Sequence, residues 1–427
     1  MRNALSSGAT RKMLLLSGVF FLSVFSASGQ SPQGASNETM AALLPPGEGR
    51  QIILTSCTRC HSMDRIVHGH RDHESWQNLV NQMITNGAVL GTDRIPIVVD
   101  YLAKNFVGIA RPEAVVVPGP VQASIKEWKI PNPKGGPHDP LVAPDGSIWF
   151  TSGGANMLGR LDPATGEFTE FPMKTDRSGP HGLVADKDGA IWFTASTKDF
   201  VGKVDPKTGQ ITEYRFPDPA AVHPHTPIID QKGNIIFTVM YGNMIGRVTP
   251  GTGDVKLVTV PSRQSDPYGI AMNSKGLMYF AESATNKVAS INPETMEIKE
   301  YLTPNLEARP RRVAITPDDV VWYTDYQRGY LGRFDPKTGK FSEWPSPSGP
   351  NSQPYAITAV GNIIWYAETA MKQNTVVRFD PATEKFQSWV IPSGGGVVRN
   401  MMPAKDGNVW LACSGVKTIA LVKVEKS

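Results

Sequence analysis

The chain has 427 residues, of which 40% are hydrophobic and 19% are charged, and this composition excludes a disordered or collagen-like polypeptide. Its formal net charge is only +4 and no block of Lys and Arg stands out, which argues against a dedicated nucleic-acid binder. The 40 Gly and 35 Pro predict many tight turns and short strands, and three Cys are too few for a disulfide framework.

The amino-terminal residues have the pattern of a secretory signal peptide. Three basic residues precede an apolar run at 13–25, and small residues follow at 26–29. The run is shorter than the ~20 residues that a membrane-spanning helix needs, although an uncleaved anchor is the alternative. We therefore predict a signal peptide at 1–29, a polar tether at 30–48, and a periplasmic or secreted protein with no membrane span after cleavage.

A C-x-x-C-H motif follows the tether. Cys57 and Cys60 have the spacing at which two thiols add to the vinyl groups of haem, and the adjacent His61 would ligate the iron. Export favours this interpretation, because the attachment is made outside the cytoplasm. We predict one covalent haem c on these residues, with His61 as the proximal iron ligand. The alternatives are a thioredoxin-like redox pair and a zinc site that would use His68, His70 and His73.

The residues around the motif have helical periodicity. Asp72 can cap a helix whose apolar residues recur at i, i+3, i+4 and i+7, and these are Trp76, Leu79, Val80 and Met83. Asp93 can cap a second helix. Three short helices around one prosthetic group resemble a small cytochrome c domain, which predicts a haem domain at 49–110. The resemblance implies one-electron transfer to or from a redox partner protein or a small-molecule donor.

The sixth iron ligand is predicted to be Met83. His/Met ligation is the commoner arrangement in cytochromes c and raises the reduction potential. Met63 is too close to His61 in the chain to reach the opposite face of the ring. A bis-His site that uses His68, His70 or His73 is the alternative.

A Val/Pro-rich linker at 111–120 leads to a repeat with a period of about 43 residues. Aligning the aromatic strand of each unit gives seven anchors, at Trp149, Trp192, Ile236, Tyr279, Trp322, Trp365 and Trp410. Each unit contains four short strands with hairpin turns such as Asp205-Pro206-Lys207-Thr208-Gly209. This is the period of a β-propeller blade, so we predict a mainly β fold in which a seven-bladed propeller at 121–427 follows a small all-α domain.

The sequence also predicts how the ring closes. The seventh unit ends without its fourth strand, and a matching strand occurs upstream at 124–131. An amino-terminal strand that completes the last blade removes two exposed sheet edges at once.

The repeats resemble those of the streptogramin B (virginiamycin B) lyase family. The resemblance is carried by Gly-Pro-His-Gly-Leu-Val at 179–184, by Ile-Trp-Phe-Thr at 191–194 and by the following Gly-Lys strand. It implies a seven-bladed propeller that opens a macrocyclic lactone by elimination with Mg²⁺. The family's two His and two Glu fall in register with Tyr355, Arg399, Val397 and Ala412-Cys413, so none of its four working residues is present.

The residues predicted to line the channel come from two columns of the repeat. The first column follows each turn Pro and starts the innermost strand, and it consists of His138, His181, His225, Tyr268, Arg311, Tyr355 and Arg399. The second column ends the aromatic strand and includes the carboxylates Glu282, Asp325 and Glu368. We expect Cys413, in the same column, to be a buried strand residue.

Three interpretations of the channel remain open. His138, His181 and His225, with His223 nearby in the chain, are candidates for a divalent metal site. Arg311, Arg312 and Arg399 are candidates for binding an anionic small molecule. The third interpretation is that polar residues there bond only to loop carbonyls and water. For the whole chain, the sequence favours an exported electron-transfer cytochrome whose propeller is a substrate platform or dehydrogenase module, with a lyase and a non-catalytic ligand-binding propeller as alternatives.

Overall fold

The computed structural model describes residues 44–57, 66, 72–85, 88, 90–107 and 111–425. The predicted signal peptide, Cys60 and His61 lie outside these residues. In the part of the chain that the structure describes, no helix is both long enough and apolar enough to cross a membrane.

The described part of the amino-terminal segment is helical. Its helices are α1 (Glu48–Ile52), which continues into a π-helical turn (Ile53–Cys57), α2 (His73–Thr85) and α3 (Arg94–Asn105). The predicted cap of α2 forms, because the Ser75 amide donates to Asp72 Oδ1 at 2.7 Å. Asp93 precedes α3 but makes no capping side-chain hydrogen bond.

A small apolar core joins these helices. Trp76 is buried, and its indole N–H donates to the carbonyl of Phe106 at 3.1 Å. The hydroxyl of Tyr101 donates to the carbonyl of Pro45 at 2.5 Å and so fixes the chain that enters α1. The other buried apolar residues of this core are Leu44, Ile53, Ile66, Val80, Val98, Val99, Leu102 and Phe106.

Residues 123–424 form a seven-bladed β-propeller of four-stranded antiparallel sheets, which confirms the predicted fold. Blade 1 contains β2 (Pro140–Val142), β3 (Ile148–Ser152), β4 (Met157–Leu161) and β5 (Phe168–Pro172). Blade 2 contains β6 (Pro180–Ala185), β7 (Ile191–Ala195), β8 (Phe200–Val204) and β9 (Ile211–Arg215). Blade 3 contains β10 (Pro224–Ile229), β11 (Ile235–Val239), β12 (Met244–Val248) and β13 (Val255–Thr259).

The remaining blades repeat this order. Blade 4 contains β14 (Pro267–Met272), β15 (Met278–Glu282), β16 (Lys287–Ile291) and β17 (Ile298–Leu302). Blade 5 contains β18 (Pro310–Ile315), β19 (Val321–Asp325), β20 (Tyr330–Asp335) and β21 (Lys340–Pro345). Blade 6 contains β22 (Pro354–Val360), β23 (Ile363–Glu368), β24 (Thr375–Asp380) and β25 (Lys385–Val390). Blade 7 contains β26 (Val398–Pro403), β27 (Val409–Cys413), β28 (Thr418–Val424) and the strand β1 (Ala123–Lys129), with a 3-10 turn (Ser414–Val416) between β27 and β28.

The second strand of each blade is the core of the fold. In blades 1 to 5 and in blade 7, all five residues of this strand are buried. A glycine of the third strand lies directly against its aromatic ring. A Cβ at Gly159 would come within 2.0 Å of the Phe150 ring, and one at Gly332 within 2.0 Å of the Tyr323 ring. The Gly of the repeated Gly-Arg pattern is therefore required for close packing between strands.

Strand β1 closes the ring. It pairs with β28 in antiparallel register from Ala123 opposite Val424 to Lys129 opposite Thr418. The predicted range of the closing strand was 124–131. The observed strand begins one residue earlier, at Ala123, and ends two residues earlier, at Lys129. The indole of Trp128 stacks on Trp410 with ring centroids 5.3 Å apart.

The linker lies along the outer edge of blade 6. Backbone groups of Val117 exchange hydrogen bonds with Ser388, since Val117 N donates to Ser388 Oγ and Ser388 N donates to Val117 O, both at 2.9 Å. Similarly, the Val121 amide donates to the side-chain oxygen of Gln387, and the side-chain nitrogen of Gln387 donates to the Val121 carbonyl. The predicted linker is therefore a strap bound to β25.

Candidate functional site

A ring of polar side chains surrounds the channel at the start of the innermost strands. In six blades a bulge interrupts the pairing of the first two strands, as between Pro180 and Leu183 in blade 2. A bulge turns the extra residue out of the regular alternation. The structure brings together the residues of the first predicted column, which are His138, His181, His225, Tyr268, Arg311, Tyr355 and Arg399.

The first four members of the ring form a continuous row in which each ring is tilted by 45–49° against the next. The ring centroids of His138 and His181 are 3.7 Å apart, those of His181 and His225 are 3.9 Å apart, and those of His225 and Tyr268 are 3.8 Å apart. Burial and then nearby charges, such as that of Arg399 at His138, hold the pKa of all three histidines well below the usual value. These imidazoles are therefore neutral at neutral pH.

The described residues do not contain the ligand arrangement that the predicted metal site requires. No group of three or more His, Cys, Asp or Glu in this part of the chain is arranged to hold a metal ion. His225 Nδ1 bonds to Thr226 Oγ1 at 2.8 Å, and the buried Nδ1 of His181 has no hydrogen-bond partner among the described residues. A metal in the channel therefore stays a prediction.

Arg311 lies in a cage of three tyrosines. Its guanidinium carbon is 4.3 Å from the ring centroid of Tyr355, 4.4 Å from that of Tyr326 and 4.7 Å from that of Tyr268. A guanidinium over an aromatic face is stabilised by the ring quadrupole. The hydroxyls of Tyr268 and Tyr355 are hydrogen bonded to each other.

Arg312 connects opposite sides of the ring. From blade 5 its Nη2 donates to Asp139 Oδ1 of blade 1 at 2.9 Å, and its Nε donates to the carbonyl of Arg399 in blade 7 at 2.9 Å. Both side chains of the Arg312–Asp139 pair are only 4% exposed. His138 Nδ1 bonds to the same Asp139 oxygen at 2.9 Å. This pair crosses the channel just beside the ring.

The charges of the site are unbalanced. Arg311, Arg312 and Arg399 bring three positive charges together. Of these three, Arg312 forms an ion pair with Asp139. Among the described residues, Arg311 and Arg399 make no ion pair, and the Nε of Arg311 is buried without a hydrogen-bond partner. Arg311 and Arg399 are half-buried, and cations removed from water without counter-charges are costly, so the site favours an anion.

The predicted carboxylate column is used differently. Glu282, Asp325 and Glu368 are fully buried and bond to loops and neighbouring strands of the blades. Asp325 pairs with Arg328 at 2.6 Å, and Glu368 accepts bonds from Ser346 at 2.7 Å and from Thr375 at 2.7 Å. Glu282 accepts one bond, from Thr285 at 2.9 Å. The hydrogen bonds of these three carboxylates are thus made away from the ring residues.

Cys413 is fully buried in β27, as the sequence predicts. Burial raises the pKa of its thiol to about 12. The thiol is therefore protonated at neutral pH.

Only part of the predicted haem site falls within the described residues. Cys57 ends the π-helical turn and packs, half-buried, against the helical core, whereas Cys60 and His61 lie outside the described residues. Met83 is half-buried on α2. His73, of the bis-His alternative, bonds through Nε2 to Asp100 at 2.8 Å on the surface, with 59% of its side chain exposed.

Sequence reasoning missed two residues of the channel site. Asp139 was missed because it lies one residue after the first column, at a position where the other blades carry varied residues. Tyr326 lies one residue beyond the second column, in the turn after β19. The signal available for Asp139 was the Asp itself, since the other blades carry no carboxylate at that position.

Comparisons with known proteins agree with the architecture. The model of the virginiamycin B lyase family matches residues 119–345 and 285–427. Among solved structures, a streptogramin B lyase is 27% identical with a TM-score of 0.65, and the match covers 71% of this chain and 98% of that chain.

Two further solved structures are similar. Selenomethionine-substituted virginiamycin B lyase from Staphylococcus aureus is 26% identical with a TM-score of 0.64, over 71% of this chain and 99% of that chain. A catalytically inactive variant of virginiamycin B lyase from the same organism, with quinupristin, is 25% identical with a TM-score of 0.64 over the same shares. No protein in the curated set matches this chain.

Proposed function

The chain belongs to the virginiamycin B lyase family, and on this basis we propose that its propeller is a lyase that binds a small organic anion at the channel ring and eliminates a leaving group from it. The observation that carries the proposal is the group of three guanidiniums with a single carboxylate partner. Guanidiniums bind carboxylates through parallel N–H···O bonds, and they stabilise the negative charge that develops when a carbon loses a proton.

The substrate we propose differs in charge from a neutral macrocyclic lactone. The chain has Tyr355 and Arg399 at the family's two His positions, and Val397 and Ala412-Cys413 at its two Glu positions. A site that has exchanged these groups for cations and a phenol has lost acidic ligands for Mg²⁺ and gained affinity for anions. The flat rings of His181, His225 and Tyr268 suit an unsaturated or aromatic ligand beside the guanidiniums.

Calorimetric titration of the full chain with benzoate and with succinate at neutral pH tests anion binding. Wild type is expected to bind at least one of them saturably, and Arg399→Gln is expected to weaken that binding by roughly tenfold or more, because a charged hydrogen bond contributes about 1.5–3 kcal/mol. The exposed Arg263→Gln is the matched control and should bind like wild type. Equal affinity in wild type and Arg399→Gln, or no saturable binding of either probe, would contradict the proposal.

Elimination itself has a readout that needs no known natural substrate. Wild type incubated with β-acetoxybutyrate is expected to release acetate and form crotonate, which proton NMR detects. Arg399→Gln should slow the release in proportion to its loss of affinity.

The sequence also favours a second function, electron transfer through a covalent haem. The observation for it is the C-x-x-C-H motif at Cys57, Cys60 and His61 in a chain with an export signal. The described side of the motif fits the group: Cys57 lies at the end of a π-helical turn beside a small apolar core, and two thiols and an imidazole are the donors that haem c requires. Thioether bonds from the two cysteines and iron ligation by His61 would hold the haem, with Met83 as the proposed sixth ligand. The haem would supply one-electron chemistry.

Haem attachment is tested by extraction. The full chain, expressed in a host that matures c-type cytochromes, is expected to keep its pigment after denaturation in acidified organic solvent. The Cys57→Ala/Cys60→Ala variant should lose it, whereas Cys413→Ala should keep it, since Cys413 is a buried strand residue. A colourless wild-type protein, or a pigment that passes into the solvent, would show that the motif does not attach haem covalently.

A further inference from the structure

Tyr355 lies among three guanidiniums, and it differs from the neighbouring Tyr268, which also contacts Arg311 and Arg312, in having Arg399 nearby as well. Its ring is 1% exposed and its hydroxyl bonds to that of Tyr268. The Arg311 guanidinium carbon lies 4.3 Å and that of Arg312 5.8 Å from its ring centroid. Arg399, from the next blade, adds a third positive charge. The phenol therefore lies inside the cationic group that the proposed function uses to bind an anion.

The groups around Tyr355 carry more positive than negative charge, since Asp139, paired with Arg312 at 2.9 Å, is the carboxylate that opposes the three guanidiniums among the described residues. Tyr268 faces Tyr355 from β14, Arg311 and Arg312 from β18, Tyr326 from the turn after β19, and Arg399 from β26. Met240 and Val397 complete its surroundings as apolar neighbours. Burial raises the pKa of the Tyr355 phenol, but Arg311, Arg399 and Arg312 outweigh burial and bring this pKa to about 7. Burial raises the pKa of its partner Tyr268, so Tyr268 remains the hydrogen-bond donor of the pair.

We propose that Tyr355 is the proton acceptor of the channel site, held as a tyrosinate by Arg311, Arg312 and Arg399 next to the bound anion. This inference rests on the proposed function, because it assigns the base for the same reaction. The geometry supports it as well, since guanidiniums this close to a buried phenol favour its ionised form.

The proposed step is a balanced elimination. The C–H bond next to the ligand's carbonyl carbon breaks, and its proton forms an O–H bond with Tyr355 Oη. The electron pair of that bond becomes the new C=C bond, and the C–O bond to the leaving group breaks with its electron pair on the departing oxygen. The guanidiniums stabilise the charge on the ligand, and the tyrosine returns its proton to solvent afterwards.

The first part of the test is a titration of tyrosinate by near-ultraviolet absorbance on the full chain. Wild type is expected to show one tyrosine that ionises near neutral pH, well separated from the others. Tyr355→Phe should lose this transition, and Tyr326→Phe, which removes another tyrosine of the same cage, should keep it. A neutral-pH transition that persists in Tyr355→Phe, or that is missing from wild type, would overturn the assignment.

The second part asks whether the ionised group faces the ligand. The affinity of wild type for benzoate is expected to weaken by roughly threefold between about pH 6 and 8, because the tyrosinate and the anion share the same cations and binding and ionisation are reciprocally linked. In Tyr355→Phe the affinity should be constant over this range. A wild-type affinity that does not change with pH would also overturn the proposal.

The two proposals fail differently. If Arg399→Gln binds benzoate as wild type does, the anion site is wrong, whatever the titration shows. If Arg399→Gln binds weakly but the absorbance transition survives in Tyr355→Phe, the anion site stands and only the choice of base is wrong. With β-acetoxybutyrate, loss of the base should lower the rate by roughly 10²- to 10⁴-fold, whereas the benzoate affinity of Tyr355→Phe should stay close to that of wild type at about pH 6.

Discussion

Single residues of this propeller have ionisation states that their position in the fold decides. Glu282 is the clearest case outside the channel ring. It is fully buried, one of its carboxyl oxygens has no hydrogen-bond partner among the described residues, and burial together with Glu300 raises its pKa to about 8. Glu282 is therefore mostly protonated at neutral pH.

The raised pKa of Glu282 predicts a pH dependence of stability. The unfolded chain releases this proton above an ordinary pKa of 4.5, whereas the folded protein keeps it to about 8. The folded state therefore binds more protons between these values, and the free energy of unfolding falls as pH rises through this window, by up to about 1.4 kcal/mol per pH unit.

Glu282→Gln should remove this component. Urea unfolding of the variant at several values between about pH 5 and 8 is expected to show a flatter pH profile than wild type, with the gain in stability largest at the alkaline end. Glu294→Gln, with its side chain 62% exposed, is the control and should follow wild type. If the profiles of wild type and Glu282→Gln are parallel, Glu282 is ionised in the folded protein.

At the scale of elements, strand β1 is the connection on which closure of the ring depends. Its seven residues pair with β28, and Trp128 stacks on Trp410. Glu127 adds a contact outside its own blade, because it accepts hydrogen bonds from the amide and hydroxyl of Ser393. Blade 6 has the corresponding contact, in which Trp389 of β25 stacks on Trp365 with ring centroids 5.5 Å apart. However, β25 directly follows the other three strands of blade 6 in the chain, whereas β1 comes from the opposite end of the propeller sequence to the rest of blade 7.

This difference predicts separate effects for two similar substitutions. Trp128→Ala is expected to cost roughly 2 kcal/mol and to speed hydrogen exchange of the amides of β28, because the closing strand loses the stack of this half-buried ring on Trp410. Trp389→Ala should cost about as much but speed exchange in blade 6 and leave β28 protected. If Trp128→Ala left exchange in β28 unchanged, the closing strand would not depend on this stack.

At the scale of the whole molecule, the ring makes one site out of seven distant segments. Arg312 and Asp139 are 173 residues apart in the chain, and the Tyr268–Tyr355 pair is 87 residues apart. Such contacts exist only after the blades have closed around the channel, so the site and the closure of the fold form together. The strap of the linker on blade 6 likewise connects Val117 with Ser388, 271 residues later.

Most of the fold could be predicted from the sequence. The period of about 43 residues, the buried aromatic strands and the missing fourth strand of the last unit follow from strand alternation and from the cost of an open sheet edge. The first channel column was predictable too, because each blade presents the residue after its turn Pro at the same place. The second column was not, since a buried carboxylate such as Glu368 turns towards whichever hydroxyls lie nearest, here Ser346 and Thr375.

The sequence by itself determined the seven blades, the closing strand, the ring of polar residues and the C-x-x-C-H motif, because each depends on spacing along the chain. Only the tertiary structure decided that the channel histidines make tilted ring contacts with one another, that Asp139 pairs with Arg312 across the channel, and that Tyr355 lies among three guanidiniums. The physical reason is that side-chain contacts across a closed ring join segments with no fixed relation in sequence, and electrostatic interactions among buried groups depend on distances that exist only after folding.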